Sequence, residues 1–340
     1  MTYLCRMKTK LLLTLGVAFL LGGCNNDIDL TADWKDIPVV YALINKDEPV
    51  HYLRLEKVFL DQNGNAFDAA ANIDSIYYGP EVVVEILNQS TGQRTVLERI
   101  NADEEGIFRN DGVFANSPNI LYKFTAEDFP LEGEQEMQLI INRGDLLDPV
   151  TAEAVVMGDI IPQAPGMPGD KLDFPMDREA SIRWRSTEEI RTFDAFLRIN
   201  YAEQLISNPN QVEEFSVVWT MGQGIENDGG SQQTVLKVSG QEFYAFLAQS
   251  IQPDNDKVRF LQGMDLIITG GGEAVENFIN IALANTGITS AQEIPVYTNL
   301  SDGLGIFSSM SDTTVVNLVL TNASRDSLIS GSITSELNFQ

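Results

Sequence analysis

Few side chains in this sequence can do covalent chemistry. There are two cysteines, Cys5 and Cys24, and one histidine, His51. A single histidine cannot build a His-rich zinc site. A Ser–His–Asp relay would have to use His51, and no Gly-x-Ser-x-Gly elbow accompanies it. His51 opens the partly alternating stretch "HYLRLEKVFL", where a solvent-facing or edge position is expected. The thiol with chemistry to do is Cys24. It follows Leu21-Gly22-Gly23, and before these comes the uncharged apolar run Leu11–Leu21, led by Arg6, Lys8 and Lys10. A basic segment followed by an apolar core of this length is the pattern of an export leader. It falls short of the roughly 18 apolar residues that a membrane span needs.

Small residues before the cysteine let the chain lie extended in a peptidase cleft. Cleavage between Gly23 and Cys24 is therefore expected, with the Cys24 thiol alkylated by a diacylglycerol. Met7 makes a more usual leader start than Met1, which would make Cys5 an artefact of the start site. Once Cys24 is acylated, no disulfide is possible, and the core alone must hold the fold. Several acyl chains, at about 0.8 kcal/mol per buried CH2, give a lasting tether.

Charge narrows the partners. The chain has 22 basic and 49 acidic residues and a net charge of −27. Loss of the leader with Arg6, Lys8 and Lys10 would leave 19 basic residues and a charge of −30. Nucleic acid binding needs a basic face, so it is not expected. The same balance disfavours lying flat on anionic lipid, and it favours solubility. With 44% hydrophobic residues interspersed among the charges, this is a folded protein and not an acidic tail.

The elements read as mainly β. "EVVVEIL" at 81–87 puts Val82, Val84 and Ile86 on one face, and further strand-like runs stand at Val39–Ile44, Ile120 and Met137. Turn pairs at Asn63-Gly64, Thr91-Gly92, Asp111-Gly112 and Glu132-Gly133 separate them. Alternating segments with regular turns predict an Ig- or fibronectin-like antiparallel β-sandwich. The prolines at 162, 165, 168 and 175 remove donors and predict a break. Beyond it, strands around Trp184, Phe196, Trp219, Val296 and "TTVVNLVL" accompany two predicted helices. One carries the stripe Phe243, Phe246, Leu247 and Ile251 behind a Ser239/Glu242 capping box. The other carries Val275, Phe278, Ile279 and Ala282 and should stop near Gly287. The predicted plan is a leader at 1–23, a tether at 24–36, a β-sandwich at 37–161, a Pro-rich linker at 162–175 and a β-rich α+β domain at 176–340.

Other motifs reduce to structure. "DQNGNAFD" at 61–68 resembles the start of a calcium loop, but Ala66 and Asn72 stand where glycine and a bidentate glutamate belong. Gly270-Gly271-Gly272 sits between a strand and a helix, but no Lys-Ser/Thr follows, and Glu273 would oppose a phosphate there. No metal or cofactor is expected beyond the covalent acyl anchor. Trp34, Trp184 and Trp219 could stack on sugars, although the last two lie in strand patterns. The 49 acids always permit some carboxylate pair, so composition neither points to a glycoside hydrolase nor removes one. Asp74-Ser75-Ile76, Asp312-Thr313-Thr314 and Asp326-Ser327-Leu328 resemble the short O-glycosylation acceptor of Bacteroidota.

The most distinctive segment is "IPVYTNLSDGLGIFSS" at 294–309. Gly303 and Gly305 permit a bend, and Ile306-Phe307 can plug an adjacent core. Thr298, Asn299, Gly303, Gly305, Ile306 and Phe307 carry the motif as structural residues. Together with the Leu21-Gly22-Gly23-Cys24 box, which resembles a bacterial lipobox, the chain resembles a Bacteroidota family of outer-membrane lipoproteins of unknown function. Asn25-Asn26-Asp27-Ile28-Asp29 loosely resembles the acidic signal that sends such proteins to the cell surface. The resemblance implies a setting near TonB-dependent receptors and no catalytic residue. The expected role is a surface- or periplasm-facing, lipid-anchored, non-enzymatic binding subunit of an outer-membrane β-barrel. The alternatives are a glycan-binding lipoprotein and an acid-pair hydrolase.

Overall fold

A computed structural model describes residues 37–58, 70–144, 147–227, 233–284 and 296–340. Cys24, Gly23, Trp34, the 61–68 loop and Gly287 lie outside the described residues. Strands dominate. The N-terminal half supplies β1 (Pro38–Ile44), β2 (Val50–Lys57), β3 (Val83–Asn88), β4 (Arg94–Val96), β5 (Glu98–Asn101), β6 (Ile120–Thr125), β7 (Glu136–Asn142) and β8 (Val150–Val155). The C-terminal half supplies β9 (Ile160–Ala164), β10 (Lys171–Leu172), β11 (Glu179–Ser186), β12 (Thr192–Leu205), β13 (Asn208–Glu226), β14 (Gln233–Ser239), β15 (Lys257–Gly271) and β16 (Leu304–Leu320). The helices are α1 (Ile73–Ile76), α2 (Gly240–Ser250), α3 (Glu273–Ala284) and α4 (Asn322–Ser330).

One sheet joins strands from both halves in the order β13-β12-β15-β16-β1-β2-β6-β5. Two smaller sheets, β4-β3-β7-β8 and β14-β11-β9, accompany it. Period-2 patterning decides which side chains go inward. β1 buries Val40, Ala42 and Ile44 and turns Tyr41 and Leu43 outward. One core joins Val40, Leu53, Val84, Ile86, Phe124, Leu139 and Ile141. The other joins Trp184, Phe193, Leu197, Trp219, Phe243, Leu266 and Ile268. The molecule is therefore mainly β, a sandwich followed by a β-rich half that carries helices, as the patterning predicts.

The two halves are not separate beads. β1 pairs in parallel with β16, from Val39 opposite Leu304 to Ile44 opposite Ser309. β16 gives Phe307 to the first core and Val315, Leu318 and Leu320 to the second. Asp36–Gln340 forms one compact unit. The Pro-rich segment is likewise more than a linker, which corrects the expectation that no sheet passes through it. β9 contains Pro162 and pairs with β11, and β10 pairs with β16. Pro162 is tolerated because β9 is an edge strand and needs donors on one side only.

One helix expectation also changes, and one helix is added. Ser239 stands at the N-cap of α2, but its side chain makes no capping bond, because it is also the last residue of β14, held opposite Glu179. The predicted apolar stripe does bury, with Phe243, Leu247 and Ile251 in the second core and Phe246 packed against it. α4 has no strong apolar period and went unpredicted. Its N-cap is Thr321, whose hydroxyl accepts from the Ser324 amide. The three Asp-Ser/Thr triplets fall in α1, β16 and α4, inside regular structure.

Candidate functional site

The 298–309 motif forms a clasp at the seam of the two halves. The Asn299 side chain behaves like a strand residue. Its Oδ1 accepts from the Phe307 amide at 3.0 Å, and its Nδ2 donates to the Phe307 carbonyl at 2.7 Å and to Glu153 O at 3.2 Å. Thr298 Oγ1 accepts from the Leu300 amide at 3.2 Å. Between them the chain turns at Gly303 (φ +156°) and Gly305 (φ +100°). A Cβ on Gly305 would sit 1.9 Å from the Val40 carbonyl oxygen, so only glycine lets β16 approach β1 here. Ile306 and Phe307 are buried, and Phe307 is a member of the first core. The six motif residues thus meet in one place and do structural work.

Directly beside the clasp lies a cleft of about 460 Å³. Its walls come from distant parts of the sequence. Glu136 opens β7, Glu153 stands in β8, Glu189 and Arg191 precede β12, Glu273 opens α3, and Tyr297 and Asn299 come from the clasp strand. The triple glycine explains how α3 reaches this position. β15 ends at Gly271, and Gly272 passes so close to Met157 that a Cβ would lie 2.9 Å from its methyl carbon. Gly272 then accepts from the Val275 and Glu276 amides, starting the helix. Glu273 and Glu276 in the first turn suit the helix dipole without any ligand.

The cleft carries four carboxylates, those of Glu136, Glu153, Glu189 and Glu273, beside the neutral polar side chains of Gln89, Tyr297, Asn299 and Ser308. Arg191 is the one cationic side chain among its described lining residues. The Glu189 Oε2 atom is buried and has no hydrogen-bond partner. Burial pushes the Tyr297 hydroxyl above its usual range; a hydrogen bond with Asn277 opposes this and the charge of Glu273 adds to it. The arrangement suits a group that donates hydrogen bonds or carries positive charge. Among the described residues no cluster of three or more His, Cys, Asp or Glu is placed to hold a metal.

The other candidates lie elsewhere. His51 is buried, 3% exposed, and stacks on Phe124 with centroids 4.5 Å apart. This corrects the solvent-facing expectation, because period 2 places residue 51 on the same inward face of β2 as Leu53 and Leu55. Its Nε2 has no partner, and burial lowers its pKa. Trp184 and Trp219 are buried in the second core, so neither offers a face to a sugar.

One network gave no signal in the sequence. Arg259, 2% exposed, holds Glu203 at 2.9 Å and donates to the carbonyls of Leu337 (2.6 Å) and Gln252 (2.8 Å). Lys257 binds the other oxygen of Glu203 at 2.6 Å. Burial alone would raise the Glu203 carboxyl pKa, but the hydrogen bonds from Lys257 and Arg259 outweigh it and hold it low. These residues secure the C-terminus along β15. They are scattered in sequence, so only folding assembles them.

No family profile and no curated protein matches the chain. Among solved structures, the FN1–FN3 domains of chicken CNTN1 align over 83% of this chain and 65% of that one, at 9% identity and a TM-score of 0.17. The chain thus spans just under two thirds of the length of that protein. CBD12 from CALX1.2 aligns over 82% of this chain and all of that one, at 7% identity and a TM-score of 0.17.

Proposed function

We propose that this chain is an outer-membrane lipoprotein of the Bacteroidota type, held by acyl chains on Cys24, that acts as a non-enzymatic binding subunit. The observation that carries this is Cys24 itself, placed right after Gly22-Gly23 at the end of a short apolar run. It stands thirteen residues before Ile37, where the described, mainly β body begins. No described helix is long and apolar enough to cross a membrane. The proposed partner is an outer-membrane β-barrel, such as a TonB-dependent transporter or a surface assembly machine. The carboxylate-lined cleft beside the clasp is the surface that would receive donor groups from it.

The acid-pair hydrolase has its candidates in the same cleft, Glu189 and Glu273. It is the weaker alternative, because sugar-cleaving sites stack their substrate on aromatics and Tyr297 is the one aromatic among the described lining residues. The test of the main proposal is Cys24→Ala expressed in cells. The wild-type chain should carry diacylglycerol on Cys24 by mass spectrometry, fractionate with the outer membrane and bring a barrel protein with it in mild detergent. The variant should lose the lipid and the membrane fraction. A wild-type chain with an unmodified Cys24 would refute the anchor, and a lipidated chain that isolates alone would refute the barrel partner.

A further inference from the structure

Exposed apolar residues occur on several faces, but at one of them the course of the chain says what lies opposite. The described body opens at Ile37 and enters β1 at Pro38. Strand register places Lys57, the end of β2, opposite Pro38, and Leu304, the start of β16, opposite Val39. β6 runs antiparallel to β2, and its first residue, Ile120, faces Asn101, the last of β5. The β5–β6 connection therefore hangs from the end of the body where the chain enters.

That connection carries Phe108, Val113 and Phe114, which are 73%, 54% and 38% exposed. They are held out from behind. Arg109 Nη1 donates to Glu56 Oε1 at 2.7 Å and to the Tyr77 hydroxyl at 3.3 Å, and its guanidinium covers the Phe114 ring at 4.8 Å. Asn119 Nδ2 binds the Ile107 carbonyl at 2.9 Å, and the Ala115 amide binds Ala70 O at 3.0 Å. Its acids are engaged as well. Asp111 accepts from Asn116 Nδ2 at 2.6 Å, and Asp103 accepts from the Asn119 amide at 3.2 Å. Arg109 and Asn119 brace the connection from within, while Phe108, Val113 and Phe114 project beside the exposed Asn110 and Asp111.

Cys24 lies thirteen residues before Ile37. A fully extended chain of that length spans at most roughly 45 Å. Acyl chains on Cys24 would therefore keep a bilayer within that distance of this end of the body, whatever path the tether takes. The net charge of −27 removes electrostatic attraction to anionic headgroups, so contact here would be apolar. Aromatic and aliphatic side chains at such an edge fit the boundary between headgroups and acyl chains.

We infer that the 107–114 connection is a membrane-docking tip. Phe108, Val113 and Phe114 enter the headgroup boundary of a zwitterionic phospholipid bilayer, and this sets the orientation of the body on its anchor. The inference rests on the lipidation of Cys24 proposed above, and its test is separable from that. The full mature chain, from Cys24 onward, is coupled through the Cys24 thiol to a maleimide phospholipid in phosphatidylcholine vesicles, which supplies the anchor whether or not a cell would.

Amide hydrogen exchange over 106–116 should slow by about tenfold relative to the same chain in solution. The slowing should persist in about 1 M salt, where charge attraction is screened. A Phe108→Ser, Val113→Ser, Phe114→Ser variant should return these amides to the solution rate. Unchanged exchange in β12 and β15 would show that its fold is intact. Equal exchange on vesicles and in solution would overturn the inference and leave a protein as the occupant. Equal slowing in the triple variant would overturn it too.

Discussion

Asn299 and His51 are both polar residues in strand-rich surroundings, and their partners give them opposite roles. Asn299 uses its amide to complete the backbone pairing of Phe307 from both sides. Asn299→Asp keeps the acceptor but loses the donor that serves the Phe307 and Glu153 carbonyls. Thermal or urea unfolding should show a loss of about 1–3 kcal/mol, the range for stranding a partly buried polar group. An unchanged midpoint would mean the clasp is dispensable. His51 has the reverse problem, a buried ring whose Nε2 finds no partner. Burial holds its pKa below the usual 6.5, so the unfolded chain binds the proton first. Its contribution is whole above pH 6.5 and is lost as pH falls through the lower folded value. Glu203 and Asp170, whose carboxyls are held low, lose theirs only as pH falls below the ordinary carboxylate values of 4.5 and 3.8. Unfolding measured from pH 7 to pH 5 should therefore show a loss of stability that His51→Leu lacks. Parallel curves for the two proteins would sink this assignment.

Among the elements, β16 carries the most consequence. Its first half completes the N-terminal core through Phe307, and its second half completes the C-terminal core. A chain of residues 37–161 alone would lack Leu300 and Phe307 and would leave the Val39–Ile44 edge of β1 unpaired. A fully buried phenylalanine contributes about 1.5–3 kcal/mol, and an open parallel-pairing edge invites association. Such a fragment is expected to melt without a cooperative transition, read by circular dichroism. A sharp transition at the temperature of the full chain would show that the halves are independent. The Pro-rich segment misled for a related reason. Prolines exclude the interior of a sheet, and composition does not say which strand lies at an edge. Helix α2 illustrates the same competition, since Ser239 cannot cap a helix while its backbone is held opposite Glu179.

At a larger scale, one sheet shared by two cores gives a scaffold with a seam, and the cleft lies at that seam. The net charge of −27 favours solubility and opposes nucleic acid and anionic lipid alike. The strand register also fixes which loops share the end where the chain enters. If Cys24 carries acyl chains as proposed, the tether would keep that end within roughly 45 Å of a membrane. Under the proposed anchor on Cys24, the docking tip would orient the body, and the cleft at the seam would be left to meet a partner.

The alternation of apolar residues by itself determined the strand content, the mainly β class and the burial of Trp184 and Trp219, because a period of two sends side chains to a core wherever the sheet lies. The thiol after Gly22-Gly23 likewise sufficed to raise the lipid anchor, since a peptidase reads local sequence. Tertiary structure alone decided that the halves share a sheet, that Asn299 reaches the Glu153 carbonyl and that Glu203, Lys257 and Arg259 meet. Each of these depends on a partner far away in the chain, and periodicity carries no information about which strand will become the neighbour.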